Sequence, residues 1–269
     1  MRFIDALLDA SRSRRSLLCI GLDPLPERLP AHLGSSAQAV YDFCAAIIEA
    51  TADIACAYKP NIAFFEALGA PGIETLQRLC ELPRDVPMIL DAKRGDIGST
   101  AEAYARMAFE VFRADAVTLS PYLGGDTLAP FLRHAERGCF VLCKTSNPGS
   151  ADVQDLELAT GGPLYLEIAR QARDRWNANG NVGLVVGATH AEAIAAVRAA
   201  CPDLPLLVPG VGAQGGDLEA AVRAAVDAAG ERALINASRS ILYASSGPDF
   251  AQAARAEAIR LRDAINRVR

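Results

Sequence analysis

The chain has 269 residues, 51% of them hydrophobic, and its 27 Lys and Arg against 32 Asp and Glu give a formal charge of -5 with a pI of about 5.3. That is enough apolar material for one large or two ordinary folding units with a full core, which excludes a disordered or fibrous chain. The acidic balance argues against general affinity for nucleic acid or an anionic membrane, so an anionic ligand requires a local site.

Seven scattered cysteines with no CxxC pair read as small reduced core residues, and the expected location is cytoplasmic. Arginines at 12, 14 and 15 precede an apolar stretch at 17–22 that is too short for a leader or a membrane span. In chain order the pattern predicts a helix over 2–15, a strand over 17–22 ending at Asp23, and an Ala-rich helix over 37–51. A second strand over 53–58 leads to Lys59-Pro60-Asn61, with helical sequence to 82. The third apolar run, Met88-Ile89-Leu90, gives way to Asp91, Lys93 and Asp96. A buried parallel strand tolerates no such charges in its interior, so they are placed at its exit. Gly95 and Gly98 let the chain turn, and Ser99 with Glu102 forms a capping box that marks the next helix.

A fourth strand over 116–119 precedes Ser120-Pro121 and a helix start at 124–126. The fifth, over 139–143, runs into Lys144-Thr145-Ser146-Asn147 and a polar loop to 162. The sixth (182–186), seventh (204–208) and eighth (233–235) end before Gly187, Pro209-Gly210 and Asn236-Ala237-Ser238-Arg239, and a closing helix covers 250–268. Eight apolar runs alternating with helical stretches predict an α/β chain folded as one (β/α)8 TIM barrel with an additional N-terminal helix, spanning 1–269. Polar residues gather at the carboxyl ends of the strands, the face where such barrels keep their sites. The arginines of the closing helix read as a solvated outer face in preference to a nucleic-acid stripe.

Two clusters on that rim carry chemistry. Asp91 and Lys93, two apart on a strand, share a side, and Lys59 ends the neighbouring strand. Lys59, Asp91, Lys93 and Asp96 then alternate in charge, which favours the ionised form of each and suits acid and electrostatic work better than base work. An ordinary surface ion pair is the competing reading. The second cluster, Gly210 to Gly215, fits G-x-G-x-x-G, yet about 20 residues on there is no acid to hold a ribose as a dinucleotide fold requires. After strand seven of eight, with Arg239 supplying a cation, the loop reads as a phosphate site.

The run 89–100, Ile-Leu-Asp-Ala-Lys-Arg-Gly-Asp-Ile-Gly-Ser-Thr, resembles the D-x-K-x-x-D-I-x-x-T signature of the orotidine 5'-phosphate decarboxylase family, filled at every fixed position. Asp23, Lys59-Pro-Asn, Ser146, the Pro209-Gly210 loop and Ser238-Arg239 resemble other family positions across all eight barrel units, and the length resembles the longer bacterial form. The resemblance implies conversion of orotidine 5'-monophosphate to uridine 5'-monophosphate and carbon dioxide, with no cofactor and no metal. It implies Lys93 as proton donor at C6, with Asp91, Lys59 and Asp96 completing the catalytic set. Lys59 and Asp23 would hold the ribose, Ser146 the pyrimidine, and Pro209, Gly212, Gln214, Ser238 and Arg239 the phosphate. Asp96, Ile97 and Thr100 would reach a neighbouring subunit's site, which makes the expected assembly a homodimer with shared active sites. The competing readings are a metal-dependent relative such as 3-keto-L-gulonate 6-phosphate decarboxylase, which has a glutamate where this chain has Lys59, and a noncatalytic phosphate-sensing barrel.

Overall fold

The computed structural model describes residues 1–211 and 217–269. Among them eight parallel strands, β1 (Leu18–Leu22), β2 (Ala57–Pro60), β3 (Ile89–Arg94), β4 (Ala116–Leu119), β5 (Gly138–Lys144), β6 (Val182–Val186), β7 (Leu206–Pro209) and β8 (Ala233–Ala237), follow one another around a sheet. The sheet closes between β2 and β3 through the bridges Tyr58 to Met88 and Asn61 to Asp91, with Tyr58 N donating to Pro87 O at 3.0 Å. The helices are α1 (Phe3–Arg14), α2 (Ala37–Thr51), α3 (Ile62–Glu66), α4 (Ala70–Cys80), α5 (Gly98–Arg106), α6 (Gly125–Leu132), α7 (Ala151–Gln154), α8 (Leu164–Gln171), α9 (Ala191–Ala200), α10 (Leu218–Ala225), α11 (Arg239–Leu242) and α12 (Phe250–Asn266). This is the expected (β/α)8 barrel with an N-terminal helix.

Alternation along each strand divides the core into two layers. One residue from every strand (Cys19, Ala57, Ile89, Ala116, Phe140, Val185, Leu207 and Leu234) packs inside the barrel, while strand neighbours such as Leu18, Leu90 and Val141 face the surrounding helices. Phe3 and Leu7 of α1 join the inner cluster, and the Phe3 ring meets Phe140 edge-on at 5.7 Å. Gly138 permits this, because a Cβ there would come within 2.3 Å of the Phe3 ring. The N-terminal helix therefore plugs the amino end of the barrel, opposite the rim that carries the polar residues.

Three local expectations are corrected. Strand two begins later than the apolar run at 53–58: Ile54 N and Ala55 N both bond to Thr51 O in a buried turn. Asp53 meanwhile points outward to Arg255, with contacts of 2.5 and 2.8 Å, and the bond to Arg255 lowers its carboxyl to about 2. The capping box does not form. Helix α5 starts at Gly98 with Ile97 in the cap position and no side-chain cap, and Glu102 pairs with Arg133 instead. Lys59, Asp91 and Lys93 lie inside the strands rather than past them, while Asp96 follows β3 as expected: β2 includes Lys59, and β3 continues through Asp91 and Lys93 to Arg94, whose carbonyl accepts from Ser120 N at 2.8 Å. Arg255, Arg260 and Arg262 of α12 each pair with a carboxylate, as a solvated outer helix face does. Among the described residues no helix is long and apolar enough to cross a membrane.

Candidate active site

Adjacent β2 and β3 bring their charges into one network. Lys59 Nζ donates to Asp91 Oδ2 at 2.9 Å, and Lys93 Nζ donates to Asp91 Oδ1 at 2.5 Å. Lys59 is 3% exposed and Asp91 8%, so this is no surface ion pair. Burial by itself would lower the Lys59 ammonium, but the opposite charges of Asp91 and Asp23 and the bond to Asp91 outweigh it and hold the group above the ordinary lysine range. Burial likewise works to raise Asp91, and the two lysine charges with their hydrogen bonds overcome it, so the carboxyl sits well below its usual range. Lys59 and Asp91 thus keep each other ionised.

The backbone at this point is unusual. Lys93 has φ of 48°, a left-handed conformation that costs a residue with a Cβ about 1–2 kcal/mol, and the β3 to β4 register shifts between Leu90 and Arg94. Thr118 of β4 offsets the cost. Its Oγ1 accepts from Ala92 N at 3.0 Å and Lys93 N at 2.9 Å, and donates to Asp91 Oδ1 at 2.9 Å. One hydroxyl thus fixes both the acid and the main chain that carries the lysine.

These side chains open into a cavity of about 390 Å³ at the carboxyl ends of the strands, lined also by Asp23, Ser146, Pro209, Ser238 and Arg239. Two lining groups have a buried oxygen with no hydrogen-bond partner among the described residues: Asp23 Oδ1 and Asn236 Oδ1. Buried acceptors of this kind are costly unless a ligand donor meets them. Glycines shape the wall. A Cβ on Gly21 would overlap Ser238 Oγ at 1.9 Å, and one on Gly187 would meet the Ser146 backbone at 2.7 Å. Gly210 carries φ of 96° where the chain leaves β7, while Gly212 and Gln214 lie outside the described residues.

The four-charge array is not completed within one chain. Asp96 Oδ1 accepts from Ile97 N at 2.8 Å, Ile97 is 63% exposed, and Asp96, Ile97 and Thr100 do not line the cavity. Conversely Thr118 and Asn236 line it with no role expected from the sequence, and Asn61, marked there only as part of the Lys59-Pro-Asn match, lines it too. For Asn61 the signal was its place just after Lys59. Thr118 and Asn236 sit within strands, where a threonine reads as an ordinary strand former.

Residues 16–256 match the model of the orotidine 5'-phosphate decarboxylase / HUMPS family. The chain is 64% identical over 266 residues to an orotidine 5'-phosphate decarboxylase of Roseiflexus sp. (strain RS-1), covering 99% of this chain and 98% of that one. It is 55% identical to that of Ralstonia pickettii (strain 12J), covering both chains fully. Among solved structures, Leishmania donovani OMP decarboxylase superposes with a TM-score of 0.86 at 44% identity, covering 99% of each chain. Leishmania donovani UMP synthase gives 0.91 at 46%, with this chain spanning all of itself and 56% of that longer protein. On a match that runs through the barrel from its first strand into its last helix, the chain belongs to the orotidine 5'-phosphate decarboxylase / HUMPS family.

Proposed function

We propose that this chain is an orotidine-5'-phosphate decarboxylase, converting orotidine 5'-monophosphate to uridine 5'-monophosphate and carbon dioxide, the last step of pyrimidine nucleotide synthesis. The observation that carries the reading is the Lys59, Asp91, Lys93 network at the barrel mouth, in which a buried Lys59–Asp91 pair anchors a Lys93 that reaches into the open cavity. When the bond from C6 to the carboxyl carbon breaks, its electron pair stays in an in-plane orbital that the ring cannot delocalise. A fixed positive charge beside C6 stabilises that pair as it forms, and it acts strongly because the site is already organised. Lys93 supplies the charge and then its proton to C6, becoming neutral until solvent reprotonates it. Asp91 holds Lys93 in place and lies near the departing carboxylate. Lys59 and Asp23 take the ribose hydroxyls, Asp23 Oδ1 being a buried acceptor open to a donor. Ser146 faces the pyrimidine, and Pro209, Gly212, Gln214, Ser238 and Arg239 grip the phosphate. That grip spends remote binding energy at the reacting carbon.

The family also includes metal-dependent sugar-phosphate enzymes that the sequence left as rivals. Lys59 opposes that alternative, since a buried ammonium already bonded to Asp91 occupies the place where they carry a metal-binding glutamate. The deciding assay follows loss of orotate-type absorbance with orotidine 5'-monophosphate as substrate, with and without EDTA. Turnover undiminished by EDTA is expected; no turnover, or activity abolished by the chelator, overturns the reading.

The active unit is a homodimer with shared sites, in which Asp96, Ile97 and Thr100 complete the partner's cavity. Support comes from their position on the rim away from their own cavity, and from Ile97, Tyr122 and Leu123 exposing apolar surface on neighbouring strand-end loops at 63%, 82% and 49%. Mixing Lys93→Ala and Asp96→Ala chains regenerates activity through hybrid sites if this is right. Complete absence of recovery counts against sharing.

A further inference from the structure

Strand β5 ends in a buried cation that the chemistry above does not use. Lys144 is 2% exposed. Phe140 faces the barrel interior and Leu142 lines the cavity, so strict alternation would aim Lys144 into the cavity as a third ammonium beside Lys59 and Lys93. A bulge prevents this. The pairing of β5 with β6 shifts between Leu142 and Lys144, and an extra residue re-aims the side chains that follow it. Lys144 turns away from the cavity and its Nζ donates to Ser150 Oγ at 3.0 Å and Asp155 Oδ1 at 2.7 Å. Thr145, Ser146 and Asn147 enter the cavity lining in its place.

Both partners of Lys144 belong to the segment that follows β5, which includes α7. A second tie runs parallel: Thr145 N donates to Gln154 Oε1 at 2.8 Å, and Gln154 Nε2 donates to Thr145 Oγ1 at 2.9 Å. Thr145 Oγ1 in turn donates to Asn147 Oδ1 at 2.7 Å, and Gly187 backs Ser146 so closely that a Cβ there would collide with it. An ammonium this buried cannot be left unpaired, so the segment cannot lift away without a penalty. We propose that Lys144 is a positioning residue that fixes the Thr145, Ser146, Asn147 wall for the pyrimidine, using a segment whose sequence alone suggests only a polar loop. This rests on the reading that the cavity takes orotidine 5'-monophosphate.

The test is Lys144→Met, which keeps most of the side-chain volume and removes the charge. A wall that is ordered only part of the time reduces the competent fraction of enzyme, so KM for orotidine 5'-monophosphate should rise about tenfold for a competent fraction of about one tenth. Substrate restores the order when it binds, so kcat should change by less than about threefold. The inhibition constant for uridine 5'-monophosphate should rise with KM, while that for inorganic phosphate, which needs only the loops after β7 and β8, should not move. A folded Lys144→Met with unchanged KM, a loss confined to kcat, or an equal weakening of inorganic phosphate each overturns the proposal. If Lys144→Met does not fold, Asp155→Asn carries the test, because it alters only the more exposed partner. A smaller rise in KM with the same indifference of inorganic phosphate supports the role, and an unchanged KM overturns it. An unmodified protein that does not turn over orotidine 5'-monophosphate at all removes the functional reading itself, an outcome distinct from any difference among variants.

Discussion

Replacing Asp91 by Asn keeps the shape of the network and deletes its anion. The two lysine arms are not equal. The Lys93 side chain is 47% exposed and that of Lys59 4%, so the Lys93 arm contributes at most about 1 kcal/mol, as exposed pairs do. The Lys59 arm falls among buried pairs whose breakage costs about 3–5 kcal/mol, because a charge is left without compensation. A loss of about 4 kcal/mol at pH 7 is therefore expected, read as a lower urea midpoint with an unchanged slope. The pH dependence gives a second, independent sign. In the unaltered protein Asp91 is held below its ordinary range, so its contribution is present above about pH 4 and lost on acidification. Lys59 is held above its range, so its contribution is present below about pH 10 and lost as pH rises through its folded value. In the variant burial dominates at Lys59, which then prefers to be neutral and gains stability as pH rises. The gap between the two proteins should consequently narrow from pH 7 to pH 10. A gap under about 1 kcal/mol at pH 7, or one that widens with pH, would refute the reasoning.

Other outcomes follow from the same geometry. Lys93→Ala and Lys93→Gly should both lose activity by a factor of at least about 100, the lower range for a missing general acid. Because φ at this position is 48°, the glycine variant should be more stable than the alanine one by about 1 kcal/mol, and denaturant titration of the pair checks it. Thr118→Val strips the hydroxyl from Asp91 and leaves the Ala92 and Lys93 amides unsatisfied, so stability should fall by about 1–3 kcal/mol and kcat should drop with it, measured by the absorbance assay. Phe3→Ala should cost about 3–5 kcal/mol by opening a void at the amino end, while KM at low temperature stays as it was, because the plug lies far from the rim.

The charges of the candidate site were legible in the sequence for a specific reason. Charged residues at the ends of apolar runs break the hydrophobic pattern, and Lys59, Asp91 and Lys93 all do so. What stayed hidden does not break that pattern. Thr118 is β-branched and fits its strand, so its three hydrogen bonds leave no mark on the sequence. Ser99 and Glu102 fit a capping pattern, but Arg133 competes for the glutamate and the helix begins two residues earlier. Lys144 was visible as a charge, yet its direction depends on a bulge, and a one-residue change in pairing exchanges the two faces of a strand. Strand two was placed too early because a buried turn is as apolar as a strand interior.

The aromatic contact between Phe3 and Phe140 at the amino end gives the barrel, among its described residues, one doorway for traffic. In the proposed reaction, the carbon dioxide and the much larger nucleotide would share that exit. With its rear closed by packed side chains, a carbanion formed in the proposed reaction would face Lys93 and meet no bulk solvent from behind.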